Sequence, residues 1–187
     1  DGIDKDYYLG EEFPCVFPGI DDAGHRVFMI GQTANTYKVD LERYFHQIPV
    51  DPGDQPLVMF RWKDMFYQCT GLPMGLRSAC SIAQRITNAV TWWMGQQGFW
   101  VRNYLDDFLG VEESKEKAEE AFNVLRAKLA EWGIKESPHK VIPPTQEIEF
   151  LGVWIDVPGQ RLSITTDRLV EIMDLLEVWK GKNRTTK

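Results

Sequence analysis

Apolar residues along this chain follow two rhythms. In Tyr37–Leu41, Pro56–Trp62, Met65–Thr70, Val101–Leu105 and Phe108–Val111 they come in short runs bounded by polar or turn-forming residues, the mark of strands with a face on a core. Lys63-Asp64 separates one pair of these runs and reads as a hairpin turn; Asp106-Asp107 stands at the tip of a second hairpin. Two longer segments change to helical spacing. Arg77 to Met94 carries Ile82, Ile86, Ala89, Val90 and Trp93 on one face and is ended by Gly95 and Gly98. Ser114, an N-cap residue, opens a helix to Trp132 that buries Ala118, Ala121, Phe122, Leu125, Leu129 and Trp132, and Gly133 falls where a C-terminal cap belongs. Glu42–Gln47 reads as a helical turn before Pro49. Glu149–Val157 and Arg161–Ile164 flank Pro158-Gly159-Gln160 as a third hairpin, and a last amphipathic helix from Thr166 is expected to bury Leu169, Ile172, Met173, Leu176 and Trp179. Residues 1–36 have poor periodicity and predict irregular structure with at most one short helix, and Lys180–Lys187 is a basic tail. No repeat or linker interrupts the chain. Strands and helices mix without strict βαβ alternation, so the pattern predicts an α+β fold with a mostly antiparallel sheet packed on helices.

Composition changes this picture only in part. With 187 residues, 43% of them hydrophobic, the chain can bury one sizeable core. No apolar run approaches the length of a membrane span and no signal pattern opens the chain, so the expectation is an intracellular protein of cytoplasm or nucleus with no membrane partner. The three cysteines, Cys15, Cys69 and Cys80, have neither zinc nor disulfide-framework spacing and are expected to be buried, reduced thiols. His25, His46 and His139 show no ligand spacing. A net charge of −7 counts against a chain that grips nucleic acid by phosphate neutralisation. Much of it is concentrated in one segment, Glu112, Glu113, Glu116, Glu119 and Glu120, able to face away from a ligand.

The candidate chemistry sits in Asn103–Val111, where Asp106 and Asp107 interrupt an apolar run that contains no Lys or Arg. Burying ionised carboxylates costs several kcal/mol unless a positive charge meets them, so that charge must come from elsewhere in the fold or from a metal ion. An acidic hairpin tip facing water is the plainer alternative. Asp40 ends another strand, Lys38–Leu41; if the two strands are neighbours, three carboxylates converge. Such a cluster can hold two Mg²⁺ ions about 4 Å apart for in-line phosphoryl displacement.

The ordered motifs resemble the palm of reverse transcriptases. Lys38–Pro49 is similar to motif A, Leu72-Pro73-Met74-Gly75-Leu76-Arg77-Ser78-Ala79 to motif B, and Tyr104-Leu105-Asp106-Asp107 to motif C. Leu129-Ala130-Glu131-Trp132-Gly133-Ile134, running on to Lys140, is similar to motif D, and Phe150-Leu151-Gly152-Val153 to motif E, the primer grip. Ile48–Asp54, Gly75–Ala79 and Gln84–Ala89 most resemble DIRS-type retrotransposons, which pair this enzyme with a tyrosine recombinase. The resemblance implies a polymerase palm-like fold and RNA-directed DNA synthesis, with an RNA or DNA template, a DNA primer and dNTP as partners and Mg²⁺, or alternatively Mn²⁺, as cofactor. It implies that Asp40, Asp106 and Asp107 are the metal ligands and that Lys140 protonates the leaving pyrophosphate. It further implies that Leu41, Phe45, Met74 and Gly75 bind the nucleotide, Phe45 as a steric gate, and that Arg77, Leu105, Leu151 and Gly152 contact primer or template. Arg77 and Arg85 equally suit pairing with the chain's many acids.

The same resemblance divides the chain into partial fingers or a wrapping segment (1–37), a palm with an inserted fingers hairpin (38–165) and the start of a thumb or a tail (166–187). It predicts weak or absent activity for the chain alone, with the remaining fingers, thumb and RNase H or recombinase parts supplied by a larger polyprotein. A decayed palm serving as a nucleic-acid-binding or scaffold module is the alternative reading.

Overall fold

The structure is a computed structural model that describes residues 19–180. Cys15, about half of the expected wrapping segment (residues 1–18) and the basic tail after Lys180 lie outside the described residues. The centre is an antiparallel sheet in the order β4 (Val101–Tyr104), β5 (Asp107–Glu112), β1 (Asn35–Asp40), β6 (Ile142–Thr145). Alternation along its strands sends side chains to two faces. Tyr37, Val39, Val101 and Phe108 point to one face, where α3 (Ala79–Gln96) and α4 (Lys115–Glu131) cover them with Ala83, Val90, Met94, Ala121, Phe122, Leu125 and Leu129. Leu109 and Val111 point to the other, under α1 (Ile20–Ile30) and a second sheet of β7 (Glu147–Phe150), β8 (Val153–Asp156) and β9 (Arg161–Ile164). Each fully buried Leu, Phe or Val here contributes about 1.5–3 kcal/mol.

Local chemistry explains the boundaries. Ser114 accepts a hydrogen bond from the Lys117 N–H at 3.2 Å, closing the N-terminus of α4 as its position predicted, and Gly133 takes φ 72° just past the other end. Tyr37 lies across Gly110 on the neighbouring strand: a Cβ at Gly110 would fall 2.0 Å from Tyr37 Cζ, so only glycine fits beneath that ring. At the same end of the sheet, far in register from Asp40, the fully buried Glu112 accepts the Trp100 N–H at 2.7 Å and stands 3.6 Å from Lys117 Nζ. Burial raises its pKa, opposed by that hydrogen bond and by Lys117.

Several sequence expectations are corrected. Glu149–Val157 is not one strand: Leu151 (φ 52°) and Gly152 (φ 75°) turn the chain back, separating β7 from β8. The buried stripe of α3 runs through Ala79, Ala83, Gln84, Thr87, Val90 and Met94, while Ile82 and Ala89 are exposed. Either stripe fits a helical period; the buried one has small side chains for close approach to the sheet and polar groups that find partners in Asn103. Pro56–Trp62 divides into a 3-10 turn (Gln55–Val58) and β2 (Met59–Trp62), which pairs only with β3 (Met65–Gln68). The last helix, α5 (Thr166–Lys180), forms where expected but buries none of its residues among those described: Leu169, Ile172, Met173, Leu176 and Trp179 are 39–56% exposed. Trp132 is likewise exposed. The cysteines are not buried either, Cys69 being half-buried and Cys80 exposed. Strand β6 was not anticipated, because Pro143-Pro144 argues against a strand; it survives at the sheet edge, where a missing N–H costs least.

Candidate active site

The site is built by strand register. β1 runs antiparallel to β5 with Asp40 directly opposite Asp107, so both carboxylates leave the same face at the same end of the sheet. Lys38, two residues before Asp40, shares that face, and its Nζ stands 3.0 Å from Asp107 Oδ1. The β4–β5 connection is the two-residue turn Leu105-Asp106, with Leu105 at φ 51°. The Asp106 carbonyl accepts the Leu41 N–H at 3.0 Å, locking the turn onto the end of β1.

A second connection brings in Lys140. After Gly133 the chain runs beside the end of β1. The Glu42 N–H donates to Lys135 O (2.9 Å) and the Ser137 N–H to Asp40 O (2.7 Å), while the Gln47 side chain hydrogen-bonds the Lys135 N–H, the Lys135 carbonyl and the Glu42 carbonyl. Thus anchored, the segment extends Lys140 Nζ to 3.2 Å from Asp40 Oδ2.

Electrostatics make this a strained cluster of acids relieved by lysines. Asp40 is 4% exposed; burial raises its pKa, the Lys140 hydrogen bond opposes that rise, and Asp107 adds to it. Burial also raises the pKa of Asp106, against its own backbone hydrogen bond, and the charge of Asp107 raises it further. Lys140 is held protonated above its ordinary range, chiefly by its hydrogen bond to Asp40.

Asp107 Oδ1 is buried and takes no hydrogen bond of good geometry, despite its ion pair with Lys38. A half-satisfied carboxylate oxygen facing a second carboxylate is the donor type hard divalent cations take, with water and phosphate oxygens completing their shells. Asp40 and Asp107 therefore fit such an ion in kind. Among the described residues no three His, Cys, Asp or Glu side chains are gathered into a ready metal cage. Of the three expected acids, the register brings Asp40 and Asp107 face to face, and Asp106 occupies the turn beside them.

The other sequence-predicted residues distribute around this point. Leu41 is buried directly after Asp40. Phe45 is half-buried in α2 (Tyr44–Gln47), edge-on to Tyr44 at 6.2 Å, and the Tyr44 hydroxyl donates to Ala83 O at 2.8 Å. Met74 (71% exposed), Gly75 (φ 94°) and exposed Arg77 lie in the loop before α3. The base of that loop is tied to α2 by the Leu72 N–H donating to Ile48 O. There Gly71 packs so tightly that a Cβ would come within 2.5 Å of His46 O. Leu151 and Gly152 form the β7–β8 turn, one step beyond Phe150, whose ring lies 5.9 Å from Lys38 Nζ. Lys38 was missed as a site residue; its spacing of two from Asp40 on a strand was the signal that could have found it.

These features define an antiparallel sheet with acids at the adjoining ends of two strands and a cation reaching over them. The described residues match solved structures of that class at the level of fold. A foamy viral protease-reverse transcriptase in complex with dsDNA superposes with TM-score 0.66 at 19% identity, covering 82% of this chain and 29% of that one. A foamy viral protease-reverse transcriptase in complex with RNA/DNA hybrid gives 0.64 at 20%, covering 82% and 19%. Residues 11–155 match the family model described as reverse transcriptase (RNA-dependent DNA polymerase), and the chain belongs to that family. Among its relatives are the retrovirus-related Pol polyprotein from transposon 412 of Drosophila melanogaster, 30% identical over 77% of this chain, and polyprotein P3 of Commelina yellow mottle virus, 29% identical over 72%. The chain spans 11% and 7% of the length of these two proteins. The family generally uses divalent metal ions, and its relatives here are larger polyproteins.

Proposed function

We propose that the chain carries the nucleotidyl-transfer centre of a reverse transcriptase encoded by a retrotransposon, adding dNTP to a DNA primer on an RNA or DNA template. The observation that carries this reading is the β1–β5 register, which sets Asp40 opposite Asp107 with Lys140 Nζ 3.2 Å from Asp40. The nucleic-acid complexes named for the foamy viral neighbours support the class of template and primer. Ile48–Asp54 and Gly75–Ala79 support a DIRS-type parent. The working division is a palm with an inserted fingers hairpin over 38–165, with 1–37 as partial fingers or a wrapping segment and 166–187 as the start of a thumb or a tail, in an intracellular enzyme.

The residues would act as follows. Asp40, Asp106 and Asp107 would hold Mg²⁺, or Mn²⁺ in its place, which when bound neutralises charge on the transferring phosphate. The primer 3′-OH would attack the α-phosphate and lose its proton to solvent as the O–P bond to pyrophosphate breaks, and Lys140 Nζ would supply a proton to the departing oxygen. Phe45, fixed edge-on to Tyr44, fills the space a ribose 2′-OH would need. Met74 and Gly75 would line the nucleotide, with Leu41, whose side chain is buried in the core, contributing only its backbone beside Asp40. Arg77, Leu105, Leu151 and Gly152 bear on primer and template.

A scaffold function has one observation in its favour: Lys38 and Lys140 relieve the acids without any metal. Calorimetry with Mn²⁺ on the full chain and on Asp106→Asn separates the two readings. Saturable binding lost in the variant supports the polymerase centre, and no binding to either protein refutes it. Primer extension by the chain alone is expected to be weak, since β2–β3 and α5 leave apolar faces uncovered among the described residues; efficient extension at physiological salt would overturn that expectation.

A further inference from the structure

The turn that carries Asp106 is held from behind by a residue with no part in the chemistry above. Gln84, in the second turn of α3, is 2% exposed. Its Oε1 accepts the Leu105 N–H at 2.8 Å, and its Nε2 donates to Asn88 Oδ1 at 2.8 Å and to Asn103 O at 3.3 Å. Both ends of the amide are used. Asn103 is held in turn, donating to Thr87 Oγ1 at 2.7 Å and accepting from the Thr91 hydroxyl at 3.3 Å. Leu105 has φ 51°, a left-handed conformation that leucine keeps only where its surroundings enforce it.

We propose that Gln84 is a positioning residue for the acidic site: its amide grips the backbone on both sides of Tyr104, pinning Leu105 in the left-handed turn so that Asp106 and Asp107 follow at the end of β5. Only a side chain with an acceptor and donors on one planar group can take the Leu105 N–H while giving to the Asn103 carbonyl. A carboxylate keeps the first contact and loses the others. A thioether of the same length keeps the volume and loses the strong hydrogen bonds. The catalytic consequence rests on the polymerase reading; the pinning itself rests on hydrogen bonding alone.

The test is amide hydrogen exchange at Leu105 in the full chain, with Mn²⁺ affinity measured by calorimetry so that a chain that does not extend primers still reports. Leu105 is expected to be protected in the parent. In Gln84→Met its exchange should accelerate about tenfold or more, while Leu109 and Val111 stay protected, and the half-saturating Mn²⁺ concentration should rise. Gln84→Glu, which retains the acceptor, should keep Leu105 protection near the parental level. Where extension is measurable, Gln84→Met should lower kcat with little change in KM for dNTP. Unchanged Leu105 exchange in Gln84→Met overturns the proposal, as does a loss of stability with parental Mn²⁺ affinity, which is all a packing role would give. Should that variant not fold, open-chain exchange of Leu105 in the parent overturns it equally. A parent that binds no Mn²⁺ but shows the exchange difference removes the polymerase reading and supports the pinning.

Discussion

Replacing Asp40 by Asn keeps the side chain's shape and removes its charge, which tests whether burial, reinforced by the neighbouring charge of Asp107, penalises the ionised carboxylate in the absence of metal. Asp40 is buried and faces Asp107 across neighbouring strands. Side chains directly opposite on antiparallel strands stand about 5 Å apart, and two like charges at that separation and an effective dielectric near 20 repel by about 3 kcal/mol. Lys140 pairs with Asp40 at 3.2 Å, but its side chain is 64% exposed, and a solvent-screened pair of that kind returns no more than about 1 kcal/mol. The variant should therefore be more stable than the parent by about 2 kcal/mol in EDTA at neutral pH, equivalent to a Tm about 4–8 °C higher. The pH dependence has a definite sign. Because the folded-state pKa of Asp40 is raised, its contribution is most favourable below the ordinary value of 3.8, where it is protonated in both states, and is lost as pH rises through the folded value. The advantage of Asn should thus vanish in acid and be complete above the folded pKa. Mg²⁺ should reverse the order, stabilising the parent by about 2.7 kcal/mol at a hundredfold excess over its Kd and leaving the variant unmoved. Thermal melts of both proteins over pH 3–8, with EDTA and with Mg²⁺, make the measurement. An Asn variant less stable than the parent in EDTA at pH 7, with no Mg²⁺ effect on either, would refute the reasoning.

Lys140→Met should cost under about 1 kcal/mol of stability, because the ammonium is exposed, yet slow single-turnover nucleotide addition by about 10²-fold or more if its proton reaches pyrophosphate. Equal rates in a quench-flow comparison would remove it from the chemistry. The elevated pKa of Lys140 also means that its small stabilisation is present below its ordinary pKa and fades as pH rises through the folded value, which melts at high pH would detect. Gly110→Ala should destabilise by about 3 kcal/mol or more, since the new Cβ collides with the buried Tyr37 ring; a denaturation midpoint equal to the parent's would show that the ring can move aside.

Local signals reached far into this fold. Ser114 and Gly133 set the ends of α4 because caps act on the residues beside them, and Lys63-Asp64 placed the β2–β3 turn for the same reason. The turn at Leu151-Gly152 escaped because the apolar pattern runs through it without a break, and left-handed φ at a leucine leaves no trace in composition. The face of α3 was misjudged because periodicity cannot distinguish a stripe of Ile82 and Ala89 from one of Ala83 and Thr87 until the sheet supplies Asn103 as a partner.

The chain's own order of residues determined that acids would end two strands, that helices would follow each hairpin, and that no charge within Asn103–Val111 could balance Asp106 and Asp107. Which strands became neighbours was a tertiary decision, and from it came the pairing of Asp40 with Asp107, the choice of Lys38 and Lys140 as counter-charges, and the hold of Gln84 on the turn. The physical reason is range. Caps, turns and period act over a few residues, whereas Asp40 and Lys140 are separated by 100 positions and meet only once β1, β5 and the chain after Gly133 have packed together.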